Sequence, residues 1–172
     1  QLRQLSTLDL SHNALETIPS QLAEMTTLMS VNLSHNKLQD VPGAICLPSI
    51  RKLDLSHNVL TRVSSKLFKM KGLETLTLCY NEIAALPGYI RHLSHLRWFK
   101  ITHNQLVHLP AEIVQGRQQR FRQLDVFGNP FVMDGPVLRR RSLVQHRLVG
   151  AGAGAGSGAG DVAGAGAGAA MW

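Results

Sequence analysis

A chain of 172 residues, 44% of them hydrophobic, has room for one ordinary domain, and no apolar run in it approaches the ~20 residues needed to span a membrane. Its formal net charge of +7 raises nucleic acid as a partner, yet the excess is local: between Glu112 and Leu148 seven arginines (117, 120, 122, 139, 140, 141 and 147) stand against Glu112, Asp125 and Asp134. A basic surface running the length of the domain is therefore excluded, and no nucleic-acid partner is expected.

The first recognisable element is LDLSHN, Leu8 to Asn13, and looser copies of it recur five times. Aligned on the asparagine, the copies end at Asn13, Asn36, Asn58, Asn81, Asn104 and Asn129, with spacings of 23, 22, 23, 23 and 25 residues. Within each copy the pattern is L-x-x-L-x-L-x-x-N-x-L, the period of one strand plus a short convex segment. Leucines two apart in a strand share a side, so Leu8 and Leu10 are expected to point inward and Thr7, Asp9 and Ser11 outward. One such unit buries almost nothing alone; stacked units share a core. The asparagine amide both donates and accepts, which suits it to satisfying loop backbone groups, so this column is read as architectural.

Taken in order, the first unit uses Leu5, Leu8, Leu10 and Leu15, then Ile18-Pro19, Leu22 and Met25. The second begins at Leu28 and is one residue shorter through CLPS; the third begins at Ile50, with Ser64 in place of the proline. Leu73 opens the fourth, Leu96 the fifth, and GRQQR adds two residues before Phe121. The sixth, with Leu124, Val126, Asn129 and Phe131, is incomplete, and its aromatic residues suit the lid of a last open core. Proline after the aliphatic residue fixes φ and lacks a donor, which fits the first turn of a short convex helix or 3-10 segment. The expected fold is an α/β right-handed solenoid with a parallel concave sheet and short convex helices or 3-10 segments.

These units define a domain over residues 1–131. Leu2 occupies the place of the last convex leucine of a preceding unit, so an upstream part is expected. Residues 132–149 form a basic segment in which Asp134-Gly135-Pro136 signals a turn and the rest is compatible with a helix. Residues 150–172 alternate Ala and Gly and are read as a disordered tail or as sequence unrelated to the repeats. Cys46 falls on the convex side and Cys79 outward on a strand, so they are not expected to meet. With neither a signal peptide nor cysteine-rich end caps, the expected location is intracellular, nuclear or cytoplasmic.

No catalytic signature survives phasing, and no enzyme activity, cofactor or metal is expected. His12, His35, His57 and His103 precede the asparagine in four units, with Tyr80 in the fourth copy. Strands ~4.8 Å apart bring these side chains close together along one rim, but a straight open column lacks converging ligands. Asp9 and Asp54 lie in nonadjacent units, too far apart for an acid/base pair. The outward strand positions are mostly small and polar, and the exception is Trp98. An outward indole expected near Tyr80 and Phe127 has the character of an interface hot spot, with Lys52, Asp54, Thr77 and Lys100 completing a partner-binding face. Packing of Trp98 on lysine stems or under the C-terminal segment is the alternative. The Arg139 to Arg141 run is read as a solvated helix face before a nuclear-localisation element.

LDLSHN, ALPGYI, HLPAEI and the closing LDVFGNPF together resemble the intracellular leucine-rich-repeat proteins with 23-residue units, over about residues 5 to 131. KLDLSHN, the AIC stretch at Ala44 to Cys46, the aromatic at Trp98 and FGN at Phe127 to Asn129 further resemble the substrate receptors of cullin-RING ubiquitin ligases. That resemblance implies a noncatalytic substrate-recognition module that meets elongin and cullin adaptors through a helix after the repeats. Ser142-Leu143 matches the start of such an adaptor box, and Arg147 stands where the family has a small residue. Related intracellular arrays act as scaffolds or regulators of small-GTPase signalling, which is the alternative function.

Overall fold

The computed structural model describes residues 4–115, 121–131 and 148–149. Six three-residue strands, β1 (Thr7–Asp9), β2 (Ser30–Asn32), β3 (Lys52–Asp54), β4 (Thr75–Thr77), β5 (Trp98–Lys100) and β6 (Gln123–Asp125), pair in sequence order as a parallel sheet. Register is exact from unit to unit: Thr7, Ser30, Lys52, Thr75, Trp98 and Gln123 form one row, and Asp9, Asn32, Asp54, Thr77, Lys100 and Asp125 another. The middle residue of each strand from β2 to β6 is buried, as period-2 alternation requires.

Behind the sheet the repeated leucines make one continuous core from Met25 to Val126. Units two to five bury most of their leucines, Leu47 and Leu109 being partly covered, whereas Leu5, Leu8, Leu10, Leu15, Ile18 and Leu22 of the first unit are all only partly covered, having a neighbour on one side among the described residues. The chain returns along the convex side through 3-10 segments at Ser20–Glu24, Gly43–Ile45, Ser65–Lys69 and Gly88–His92, and through α1 (Ala111–Gln115). Pro19, Pro42 and Pro87 stand one residue before these segments, at extended ψ of 137°, 128° and 148°, and not inside their first turn. A fixed φ with no N–H to satisfy suits that entry equally well. Ser64 replaces proline there by a different device, its Oγ accepting the N–H of Lys66 at 3.4 Å.

The asparagine column joins neighbouring units directly. Nδ2 of Asn36, Asn58, Asn81, Asn104 and Asn129 donates to the carbonyls of Leu10, Leu33, Leu55, Leu78 and Ile101 of the preceding unit at 2.9 to 3.0 Å. Oδ1 of the same five residues accepts the N–H of Leu15, Leu38, Leu60, Ile83 and Leu106, again in the preceding unit. Each amide thus closes its own turn and staples it to the one before. Leu148–Val149, β7, pairs antiparallel with β6, so these two residues of the basic segment are strand and not helix. The rest of that segment, the Arg139 to Arg141 run, the adaptor-box residues and the Ala/Gly tail lie outside the described residues.

Candidate partner-binding face

The concave face is built from two rows of outward strand residues and two rims. Asp54, Thr77 and Lys100 are consecutive neighbours in the second row, and Thr75 separates Lys52 from Trp98 in the first. Lys52 and Lys100 are exposed; Asp54, Thr77 and Trp98 are half-buried. The guanidinium of Arg122 lies 5.6 Å from the Trp98 ring centroid, which accounts for part of that cover and favours the cation-π arrangement. Trp98 is therefore not freely exposed. Arg122 was not anticipated, because the two extra residues of GRQQR obscure its phase; counting back from Leu124 places it immediately before β6, as Arg97 is before β5.

Tyr80 and Phe127 belong to the opposite rim. Tyr80 comes three residues after the end of β4 and Phe127 two after the end of β6, beyond the strand exits, whereas Trp98 opens β5. Both are well exposed, at 47% and 53%. The third expected outward position is also different: Ser34, Ser56 and Thr102 are buried. The chain leaves the sheet there. The N–H groups of Ser11, Ser34 and Ser56 are captured by Asp9 Oδ1 at 2.9 Å, Asn32 Oδ1 at 3.1 Å and Asp54 Oδ1 at 2.9 Å, tight Asx turns that pull the residue out of the outward row. At Asp9 the Ser11 hydroxyl at 2.7 Å and the Ser11 N–H together hold the carboxyl below its usual range.

The exit rim carries a stack of rings. His12, His35, His57, Tyr80 and His103 follow one another with centroids 4.1, 4.0, 4.3 and 4.3 Å apart and nearly parallel planes. Phe127 closes it edge-on, 4.9 Å from His103. All five stacked residues have positive φ, between 52° and 56°, a left-handed conformation uncommon for side chains with a Cβ. Inter-unit hydrogen bonds hold them there: His12, His35, His57, Tyr80 and His103 donate their N–H to Ser34, Ser56, Cys79, Thr102 and Phe127. In the sixth unit Gly128 takes this position at φ 73°, and a Cβ on it would meet the His103 ring at 2.9 Å. The stack ends where glycine replaces the ring.

Desolvation, followed by the charges of His57 and His12, lowers the His35 pKa, with Asp54 opposing. The described residues contain no cluster of three or more metal-ligating side chains. Cys46 and Cys79 are free thiols; burial pushes Cys46 up to about 11, and its Sγ donates to Pro42 O at 3.6 Å, so it is a packing residue and not a nucleophile. Among the described residues no helix is long and apolar enough to cross a membrane.

The family model described as leucine rich repeat matches residues 3–60 and 48–106, together more than half of the chain. The chain belongs to the leucine-rich-repeat family. The leucine-rich-repeat fold is typically a noncatalytic scaffold that binds protein partners. A leucine-rich-repeat protein of Leptospira interrogans is similar in structure at a TM-score of 0.73 and 31% identity, over 83% of this chain and 36% of that one. The present chain thus spans about a third of that relative's length. The BIR2 ectodomain of Arabidopsis thaliana shares the fold at a TM-score of 0.54 and 24% identity, over 80% of this chain and 69% of that one. No curated protein matches the sequence.

Proposed function

We propose that this leucine-rich-repeat array is a noncatalytic protein-binding module that engages its partner on the concave face through Trp98, Lys100, Thr77, Asp54 and Lys52, with Tyr80 and Phe127 lining the exit rim. The observation that carries this reading is Trp98 itself, one half-buried indole with the Arg122 guanidinium over its ring in a face whose other strand residues are smaller and mostly polar. Rigid aromatic groups flanked by arginine are the residues on which interface energy concentrates. The finer reading is the substrate-recognition part of a cullin-RING ubiquitin ligase in the nucleus or cytoplasm. It is supported by the KLDLSHN, AIC and FGN stretches and the order of units, and by free thiols at Cys46 and Cys79.

Affinity purification of the full-length protein from cells, read by mass spectrometry, tests both levels. Recovery of elongin and cullin supports the receptor reading; recovery of a small GTPase in their place supports a signalling scaffold. Trp98→Ala is expected to weaken capture of the recovered partner by about tenfold or more, the usual scale for a hot-spot aromatic. Undiminished capture by that variant removes the concave face from the interaction.

A further inference from the structure

The solvent-facing charges at the Trp98 end of the sheet are of one sign. Arg97 stands immediately before β5, Arg122 immediately before β6, and Lys100 closes β5; all three are exposed. The carboxylates nearest them in register, Glu74 and Asp125, are half-buried. Asp125 directs Oδ2 to the Gln123 amide at 2.6 Å, and its Oδ1 is buried without a partner. The ion pair present among the described residues is Arg62 with Asp40, on another part of the array, so Arg97, Lys100 and Arg122 form no ion pair with a described acid, although Asp125 is the register neighbour of Lys100. Arg97 and Arg122 are also held together: the Arg97 carbonyl accepts the N–H of Arg122 at 2.8 Å and of Gln123 at 3.1 Å.

Resting on the protein-binding reading above, we infer that Trp98, Arg97, Arg122 and Lys100 form a docking site for a carboxylate-rich protein segment. The two guanidinium groups offer forked donors to side-chain carboxylates, Lys100 supplies a point charge one strand position beyond the indole's inward neighbour Phe99, and Trp98 gives the segment an apolar surface between them. Three cations in the last two units, with Lys52 two strands away, fit spaced acidic side chains. A phosphodiester strand needs a longer basic track, and here it would run onto Asp54, Asn32 and Asp9 along the second row.

Binding of fluorescein-labelled poly-L-glutamate, followed by anisotropy at low and at physiological salt, provides the test, with a single-stranded oligonucleotide of equal charge as the competitor. The intact chain is expected to bind poly-L-glutamate more tightly than the oligonucleotide, and the Arg97→Glu/Arg122→Glu double variant to lose about tenfold or more in affinity, since truncating or reversing such charges commonly costs that much. Arg62→Glu, remote from the site, serves as the charge-matched control for Arg122→Glu alone and is expected to bind within about twofold of the parent, whereas Arg122→Glu is expected to lose about threefold or more. Arg122→Lys, which keeps charge but loses the forked guanidinium donors, is expected to fall between parent and double variant. Equal loss in the Arg62→Glu control, no loss in the double variant, or preference for the oligonucleotide each overturns the inference. If a cellular partner is captured through Trp98 while the double variant still captures it, the binding face stands and only its acidic specificity fails.

Discussion

Asn58 shows how much a single residue carries in this architecture. Its amide donates to Leu33, Leu55 and Ser56 and accepts from Leu38, joining two units through buried groups. Asn58→Ala leaves the buried Leu38 N–H unpaired and the Leu33 carbonyl with Asn36 Nδ2 as its remaining donor, a loss of about 1–3 kcal/mol in urea unfolding. Asn13 donates only within its own unit, to Leu10 and Ser11, and is exposed. Asn13→Ala is accordingly expected to cost under about 1 kcal/mol in the same measurement. The same scale governs Gly128: with φ at 73° and the His103 ring in the way, Gly128→Ala is expected to destabilise by about 1–3 kcal/mol.

At the scale of the element, the ring stack couples stability to acidity. The pKa of His35 is lowered in the folded chain, so the unfolded chain binds protons more readily and the stabilisation is fully present above ~6.5. It is lost as pH falls through the lowered folded value, because desolvation within the stack disfavours the His35 imidazolium and the rings of His57 and His12, 4.0 and 4.1 Å away, add to that. Unfolding midpoints at pH 7.5 and pH 5 should therefore converge for His35→Asn, a residue that tolerates the left-handed conformation, relative to a wider gap in the parent. An unchanged gap would show that the stack does not set the acid response. The sequence places the histidines in one column, and strand spacing brings them near each other. It does not reveal that they stack, since that depends on a positive φ enforced by hydrogen bonds between turns and not by anything in the residue types. Likewise the L-x-L pattern identifies Trp98 as outward, but its cover comes from Arg122, displaced in sequence by an insertion. Trp98 opens β5, whereas Tyr80 and Phe127 come after the exits of β4 and β6, a placement that depends on the register of three units and not on one stretch of sequence.

For the whole molecule, the solenoid, its parallel sheet and its core leucines follow from periodicity because each buried position repeats six times and any single ambiguity is outvoted by the other copies. Features that occur once, such as β7 against β6, have no such redundancy. Burial then predicts an uneven distribution of stability along the array. Leu76 is fully buried between two flanking units, and Leu76→Ala is expected to cost about 2–5 kcal/mol; Leu8, half-covered in the first unit, should cost roughly half as much or less when shortened. Native-state hydrogen exchange should show the same gradient, with amides of β3 to β5 exchanging more slowly than those of β1.

The row-on-row register of the strands has a bearing on heredity as well as on folding. Lys52 faces Ser30 on one side and Thr75 on the other, and every neighbouring pair repeats that alignment. Excising residues 50–72 in phase would set Val31 opposite Leu76 and bring Asn81 within reach of the loop that Asn58 now holds. A gene of this kind can gain or shed a unit by recombination without inventing a new contact, and the length of the binding face is free to change in steps of one strand.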